Sequence, residues 1–175
     1  MPKHRKDELA NIKLLILDVD GVLTDGTIII HHDGSESKGF NSMDGHGLRM
    51  WKRAGLKIAF LSGRLSEPTQ HRAEQLEIDH CIENCYNKIE AFEDLLEQEN
   101  LKTEQVCYIG DDLMDIPVMK RSGFSAAVAN AVNEVKEHAD YITANSGGRG
   151  AVREVVEYIL KNTDAWQKLI QRYEL

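Results

Sequence analysis

At 175 residues, 42% hydrophobic and 29% charged, the chain has the makeup of one soluble globular domain (1–175) that can bury a core without disulfide staples. Its net charge of −8 argues against general nucleic-acid binding and against docking on an anionic membrane. Three cysteines, an odd number, and a basic start with no long apolar run behind it fit a reduced, cytoplasmic protein.

Residues 1–12 are a polar lead-in. Lys13 to Asp18 is an aliphatic run, apolar on both faces, and reads as a buried strand of a parallel sheet. It ends in Asp18-Val19-Asp20-Gly21. In open α/β sheets such strand ends are where ligands bind, and two adjacent carboxylates repel each other unless a cation or proton joins them. The plainer reading is an Asp/Gly turn.

Residues 26–40 then read as a β-hairpin with a very apolar first arm, Ile28-Ile29-Ile30, and a turn at Asp33-Gly34. A hairpin alone is marginal in water, so its apolar arm should pack on something. From Asp44 the period becomes helical, with Leu48, Met50, Trp51 and Ala54 on one stripe and Gly55 as the stop. Lys57 to Leu61 is a strand closed by Ser62-Gly63-Arg64. Ser66 caps a helix with Pro68 in its first turn, running to about Leu76.

Ile78 to Ile82 is a weak strand, and a helix starts at Asn87 or Lys88 with Ile89, Phe92, Leu95 and Leu96 on one face. Gln105 to Ile109 is a strand ended by Gly110-Asp111-Asp112, and Asp112 to Arg121 reads as a helix. Phe124 to Val128, Glu134 to His138 and Tyr141-Ile142 give strand, helix and strand. Gly147 to Gly150 leads into a helix carrying Val152, Val155, Val156, Ile159 and Leu160, and the tail 162–175 reads as a final amphipathic helix or arm. The alternation predicts an α/β fold, a doubly wound parallel sheet with one hairpin insertion after the first strand. Trp51 and Trp166 read as packing residues, Cys107 as core, and the Cys81-to-Cys85 spacing lacks the second pair a zinc finger needs.

In a parallel sheet the strand ends bring Asp18, Asp20, Ser62 and Asp111 to one edge, with Lys88 at a helix start nearby. Each residue type has a task in phosphoryl transfer. A carboxylate attacks phosphorus, and a second moves the proton. A hard cation such as Mg²⁺ takes oxygen ligands, while a hydroxyl and an ammonium hold the phosphoryl oxygens. An EF-hand reading of Asp18 fails, since Leu23 and Ile29 stand where that loop needs Gly and Glu.

The ordered set Asp18-x-Asp20-Gly21, Ser62, Lys88 and Gly110-Asp111-Asp112 resembles the haloacid dehalogenase superfamily, which implies a Rossmann-like fold. The resemblance implies that Asp18 is the nucleophile and Asp20 the general acid/base. It also implies that Ser62 and Lys88 bind the phosphoryl group. Mg²⁺ is then held by the side chains of Asp18 and Asp111 and the carbonyl of Asp20, with Asp112 supporting from outside. Asp20 two residues after the nucleophile matches the phosphatases rather than the ion pumps, which carry Thr there. Between Asp18 and Ser62 there is room only for the hairpin and one helix, and between Ser62 and Lys88 for one helix and one strand, so no cap domain is encoded.

Further stretches resemble the uncapped, tetrameric branch of that superfamily, which acts on 3-deoxy-D-manno-octulosonate 8-phosphate in lipopolysaccharide precursor synthesis. They are Phe40 to Arg49, Ser62-Gly63-Arg64, Arg72, Gly110 to Asp115 and Gly147 to Glu154. That resemblance implies substrate contacts from Asp20, Asn41, Ser42, Met43, Asp44, Gly45, Arg49, Arg64, Arg72 and Lys88. It also implies a homotetramer whose hairpins and tails cover neighbouring sites. Arginines suit the bidentate binding of a phosphate and a carboxylate, although each alone reads as a solvated helix-face residue. His46, between two glycines, suits either a site residue or a local hydrogen-bonder. The alternatives are the same chemistry on a nonulosonate 9-phosphate, a phosphatase for a macromolecule, and a non-catalytic phospho-acceptor domain of the response-regulator kind.

Overall fold

The computed structural model describes residues 6–173. The first strand, β1 (Leu14–Leu17), lies at the centre of a six-stranded sheet. The chain leaves β1 through a small hairpin, β2 (Ile29–Ile30) with β3 (Glu36–Ser37), and the helix α2 (Ser42–Arg53). It then adds β4 (Lys57–Leu61) on one side of β1 and, after α3 (Glu67–Leu76), β5 (His80–Ile82) beyond it. Helix α4 (Lys88–Glu99) carries it back to the other side, where β6 (Val106–Gly110), β7 (Phe124–Ala127) and, after α6 (Asn133–Glu137), β8 (Tyr141–Ile142) follow. The order is β5-β4-β1-β6-β7-β8, with every pair parallel.

Leu14 to Leu17 pair with Lys57 to Phe60 on one side and Val106 to Ile109 on the other, and all four are fully buried. The strand order reverses at β1, which opens a crevice beyond the ends of β1, β4 and β6. The doubly wound parallel sheet is therefore the observed fold, and no cap domain is present among the described residues.

Helix α2 packs against α7 (Ala151–Lys161) and β4, while α4 packs on the short α5 (Ile116–Met119), which lies on β6 and β7. Trp51 is buried and donates from Nε1 to the Lys57 carbonyl (2.9 Å), so it packs as expected. Cys107 is likewise core. Of the lead-in, Lys6–Ala10 forms the short helix α1, and residues 1–5 lie outside the described residues.

Four expectations change. Residues 112–121 do not form one helix. A tight turn, Leu113–Asp115, precedes α5, because the Asp115 carboxylate accepts the Asp111 and Asp112 N–H groups (2.9 and 3.2 Å) and draws the chain in. Ser66 does not cap α3 with its side chain; its hydroxyl donates to Glu36 of the hairpin. The hairpin has only two paired residues per arm, and its apolar arm stays open, with Ile29 53% and Ile30 63% exposed. The tail forms α8 (Ala165–Ile170) and docks on its own chain. Trp166 lies under the Lys161 ammonium, and the Tyr173 hydroxyl meets His46 Nε2 (3.0 Å) and Arg53 Nη1 (3.3 Å). Residues 174 and 175 lie outside the described residues.

Candidate active site

Asp18, Asp20, Ser62, Arg64, Lys88, Asp111 and Asp112 line one cleft of about 210 Å³. Asp18 follows β1 and Asp111 follows β6, so the paired registers of β1 and β6 put these carboxylates side by side. Lys88, the first residue of α4, reaches up from below. Its ammonium is 3.1 Å from Asp18 Oδ1 and 2.7 Å from Asp115 Oδ1, and is almost wholly buried. Ser62, also buried, accepts the Arg64 N–H (3.3 Å).

Two contributors went unassigned in the sequence. Asp115 takes Lys88 and the Tyr108 hydroxyl (2.6 Å) on Oδ1, and the two N–H groups on Oδ2. It thereby fixes both the lysine and the Asp111 loop. Its spacing after Gly110-Asp111-Asp112 was visible, but its partner Tyr108 lies mid-strand and gave no signal. The second is Lys38, whose ammonium sits on Asp20.

Oxygens of Asp18, Asp111 and Asp115 lie within 4.8 Å of one another. Asp115 already accepts four hydrogen bonds, which leaves Asp111 and Asp18, whose Oδ1 also meets Lys88 and the Val19 N–H, as the carboxylates to meet a cation. Asp111 Oδ1 is buried with no hydrogen-bond partner, a costly arrangement unless a cation meets it. The donor set is all oxygen and anionic, which suits Mg²⁺. Asp112 Oδ1 accepts the Leu113 N–H (2.7 Å).

Burial, then repulsion by Asp18 and Asp115, pushes the Asp111 carboxyl far above its ordinary range. Burial raises Asp18 as well, against the pull of Lys88. Burial works against the Lys88 charge, but Asp18 and Asp115 outweigh it and hold the ammonium protonated.

A carboxyl whose folded-state pKa is raised lends stability that is complete below its unfolded value and is lost as pH climbs through the folded one, here towards about 8. The metal-free protein should therefore lose thermal stability as pH rises from about 4 to about 8. Asp111→Asn should flatten the slope, raise the metal-free Tm by several degrees at the alkaline end and remove the Mg²⁺-dependent rise. Melting curves with and without Mg²⁺ check this; an unchanged slope contradicts it.

Gly21 holds φ at +95°, and a Cβ there would overlap Asp111 Oδ2. Gly21→Ala should therefore lower Mg²⁺ affinity at least about tenfold, on the scale of disturbed supporting contacts at metal sites. Calorimetric titration measures it, and wild-type affinity would contradict it.

The remaining candidates gather elsewhere. Ser42, Gly45, Arg49 and Arg72 line a separate groove of about 200 Å³ between α2 and α3, with His46. Arg72 reaches Gln75 Oε1 (3.1 Å) and the Asn41 carbonyl (3.4 Å), stacks over Phe40, and keeps Nε buried without a partner. Asn41 accepts the Met43 N–H at the start of α2 and donates to the Gly148 carbonyl, and Met43 is exposed. Asp44 is buried and faces neither cleft. Its carboxylate accepts the Gly150 and Arg153 N–H groups (3.1 and 2.9 Å) at the start of α7. Asp44 thus ties the start of α2 to the start of α7. His46 accepts or shares hydrogen bonds with Arg153 and Tyr173, as a local hydrogen-bonder.

A family model described as haloacid dehalogenase-like hydrolase matches residues 81–155. The 3-deoxy-D-manno-octulosonate 8-phosphate phosphatase of Salmonella typhi is 45% identical over 157 residues, covering 90% of this chain and 84% of that protein. Among solved structures, the phosphatase of the same name from Yersinia pestis superposes with a TM-score of 0.90 at 42% identity, over 93% of this chain and 88% of that one. The one from Moraxella catarrhalis, solved with magnesium ion, phosphate ion and KDO, superposes with a TM-score of 0.93 at 38% identity, over 96% and 97%.

Proposed function

The chain belongs to the haloacid dehalogenase-like hydrolases, and from that membership we propose that it is a Mg²⁺-dependent phosphomonoesterase converting 3-deoxy-D-manno-octulosonate 8-phosphate to the free sugar acid and phosphate. The observation that carries the reading is the meeting of Asp18, Ser62, Lys88 and Asp111 in one cleft, in a chain this similar to proteins of that activity.

Asp18 attacks phosphorus and becomes an aspartyl phosphate. Asp20 gives a proton to the departing sugar oxygen, then takes one from the water that cleaves the acyl phosphate. Ser62 and Lys88 hold the phosphoryl oxygens, and Arg64 stands at the rim. Asp18, Asp111 and the Asp20 carbonyl would hold Mg²⁺, and Asp112 would orient their surroundings. Bound there, the cation offsets the repulsion between the attacking carboxylate and the phosphate. Phosphate release from a panel of phosphorylated sugar acids, with Mg²⁺ and after chelation, tests the assignment. Activity on the panel without Mg²⁺, or none with it, would overturn it.

The protein works as a homotetramer in the cytoplasm, in lipopolysaccharide precursor synthesis. Two features support the assembly: the open Ile29 and Ile30 arm, and an arginine groove set apart from the chain's own acid cleft. Asn41, Ser42, Met43, Gly45, Arg49 and Arg72 then serve a neighbour's substrate. The tail as far as Tyr173 lies on its own α2, so covering a neighbour falls to the hairpin. Among the described residues no helix is long and apolar enough to cross a membrane. Ile30→Asp should split the tetramer and lower activity at least about tenfold, since a charge at an apolar interface core is strongly disfavoured. Mass in solution by light scattering checks it, and an active wild-type monomer contradicts it.

A further inference from the structure

Lys38 follows β3 and bonds to the carboxylate of Asp20 rather than to Asp18, Asp111, Ser62 or Lys88. Side chains alternate along a strand, so Glu36 and Lys38 share one face while Ser37 turns to the other. That shared face looks into the site. Glu36 takes Arg64 Nη2 (2.9 Å) and the Ser66 hydroxyl, and Ser37 bonds His31 outside (2.9 Å). The Lys38 side chain is 0% exposed, and its ammonium lies 2.7 Å from Asp20 Oδ1 and 2.9 Å from Oδ2. The directed hydrogen bond goes to Oδ2, a second goes to Thr69 Oγ1 of α3 (3.3 Å), and Oδ1 is left with no directed donor. Arg64 Nε is more distant, 3.9 Å from Oδ2.

A fully buried ammonium needs a reason, because removing it from water is costly unless it is paired and hydrogen-bonded. Its pairing here is with the one carboxylate that must change partners during the reaction. We propose that Lys38 is a positioning residue for proton transfer: its ammonium, against both oxygens of Asp20, fixes the direction in which that carboxylate faces the cleft. The proposal rests on the reading of Asp20 as the acid/base. The Lys38 side chain has no exposed surface with which to meet substrate, so it acts through Asp20. The pairing also ties the proton-transfer group to the hairpin, whose other arm carries the exposed Ile29 and Ile30.

The test compares Lys38→Met, Lys38→Gln and Lys38→Arg with wild type, Asp20→Asn and the double variant Asp20→Asn/Lys38→Met, each with Mg²⁺ present. Two substrates are used in single-turnover mixing: the octulosonate 8-phosphate and p-nitrophenyl phosphate. The sugar alcohol needs a proton as it departs, whereas nitrophenolate departs without one. Melting curves establish that each variant is folded at the assay temperature, and Lys38→Gln replaces Lys38→Met if the latter is not.

Loss of a positioned acid should lower the first-turnover rate on the sugar phosphate about 10- to 100-fold, with KM within about threefold of wild type. The nitrophenolate burst should stay within about threefold of wild type, Lys38→Arg should regain most of the loss, and the double variant should be no slower than Asp20→Asn alone. A purely structural lysine would slow both substrates alike. Equal losses on the two substrates, additive losses in the double variant, a change in KM alone, or no loss would each overturn the proposal. If Asp20→Asn itself keeps wild-type activity, the acid/base reading falls. If Asp20→Asn is inactive and Lys38→Met is not impaired, only the role of Lys38 falls.

Discussion

Asp18→Asn should abolish turnover, with phosphate release falling at least about 10⁴-fold, the scale seen when a nucleophile is removed. The amide nitrogen and oxygen cannot form the acyl phosphate, and no other carboxylate is placed to replace it. Asp115 is saturated by Lys88, Tyr108 and two N–H groups. Asp111 faces Asp18 across the proposed metal position and serves the metal rather than phosphorus. Lys88 would lose one of its two anionic partners but keep Asp115 at 2.7 Å, so the fold should survive. Burial holds the Asp18 carboxyl above its ordinary range, so removing that charge at neutral pH should leave Tm equal or higher. Steady-state phosphate release alongside a melting curve checks both halves. Residual activity above about 1% in a folded variant would point to a different nucleophile, on the same scale.

Asp20→Asn should lower kcat about 10²- to 10⁴-fold, the span assigned to general acid–base catalysis, while Mg²⁺ still binds. The separation follows from the division of labour at this residue. Its carbonyl is the proposed metal ligand and is untouched by the substitution. Its carboxylate, held by Lys38, supplies the proton. The result also separates the phosphatase from a phospho-acceptor module. Such a module has no proton-transfer group to lose, so an Asn here would leave its phosphorylation intact. Turnover by stopped-flow phosphate detection and Mg²⁺ titration on the same preparation decide it. Wild-type turnover, or lost Mg²⁺ binding, contradicts the assignment.

The middle of the sheet was legible because its three central strands are short, mostly aliphatic runs that end at Asp, Ser or Gly. Leu14 to Leu17, Lys57 to Leu61 and Val106 to Gly110 all fall within about a residue of their expected limits. The acid cluster followed, since parallel register carries those ends to one edge. The rest depends on contacts between segments far apart in sequence. Nothing in residues 112–121 announces that Asp115 will turn back on the Asp111 and Asp112 N–H groups and replace a helical turn. Ser66 has the look of a helix cap, yet Glu36 from the hairpin competes for its hydroxyl. Lys38 was overlooked because its meaning lies in Asp20, reached only once the hairpin folds over the site. The substrate segment from Asn41 to Arg49 was recognisable by pattern, but pattern cannot separate Asp44, which caps α7, from Arg49 and Arg72, which line a groove.

The most direct measurement is kcat/KM for 3-deoxy-D-manno-octulosonate 8-phosphate and for a nonulosonate 9-phosphate, side by side, with Mg²⁺ and after EDTA. The account predicts hydrolysis of both to depend on Mg²⁺ and the eight-carbon substrate to be preferred. A clear preference for the nine-carbon substrate, or turnover that survives chelation, would contradict it.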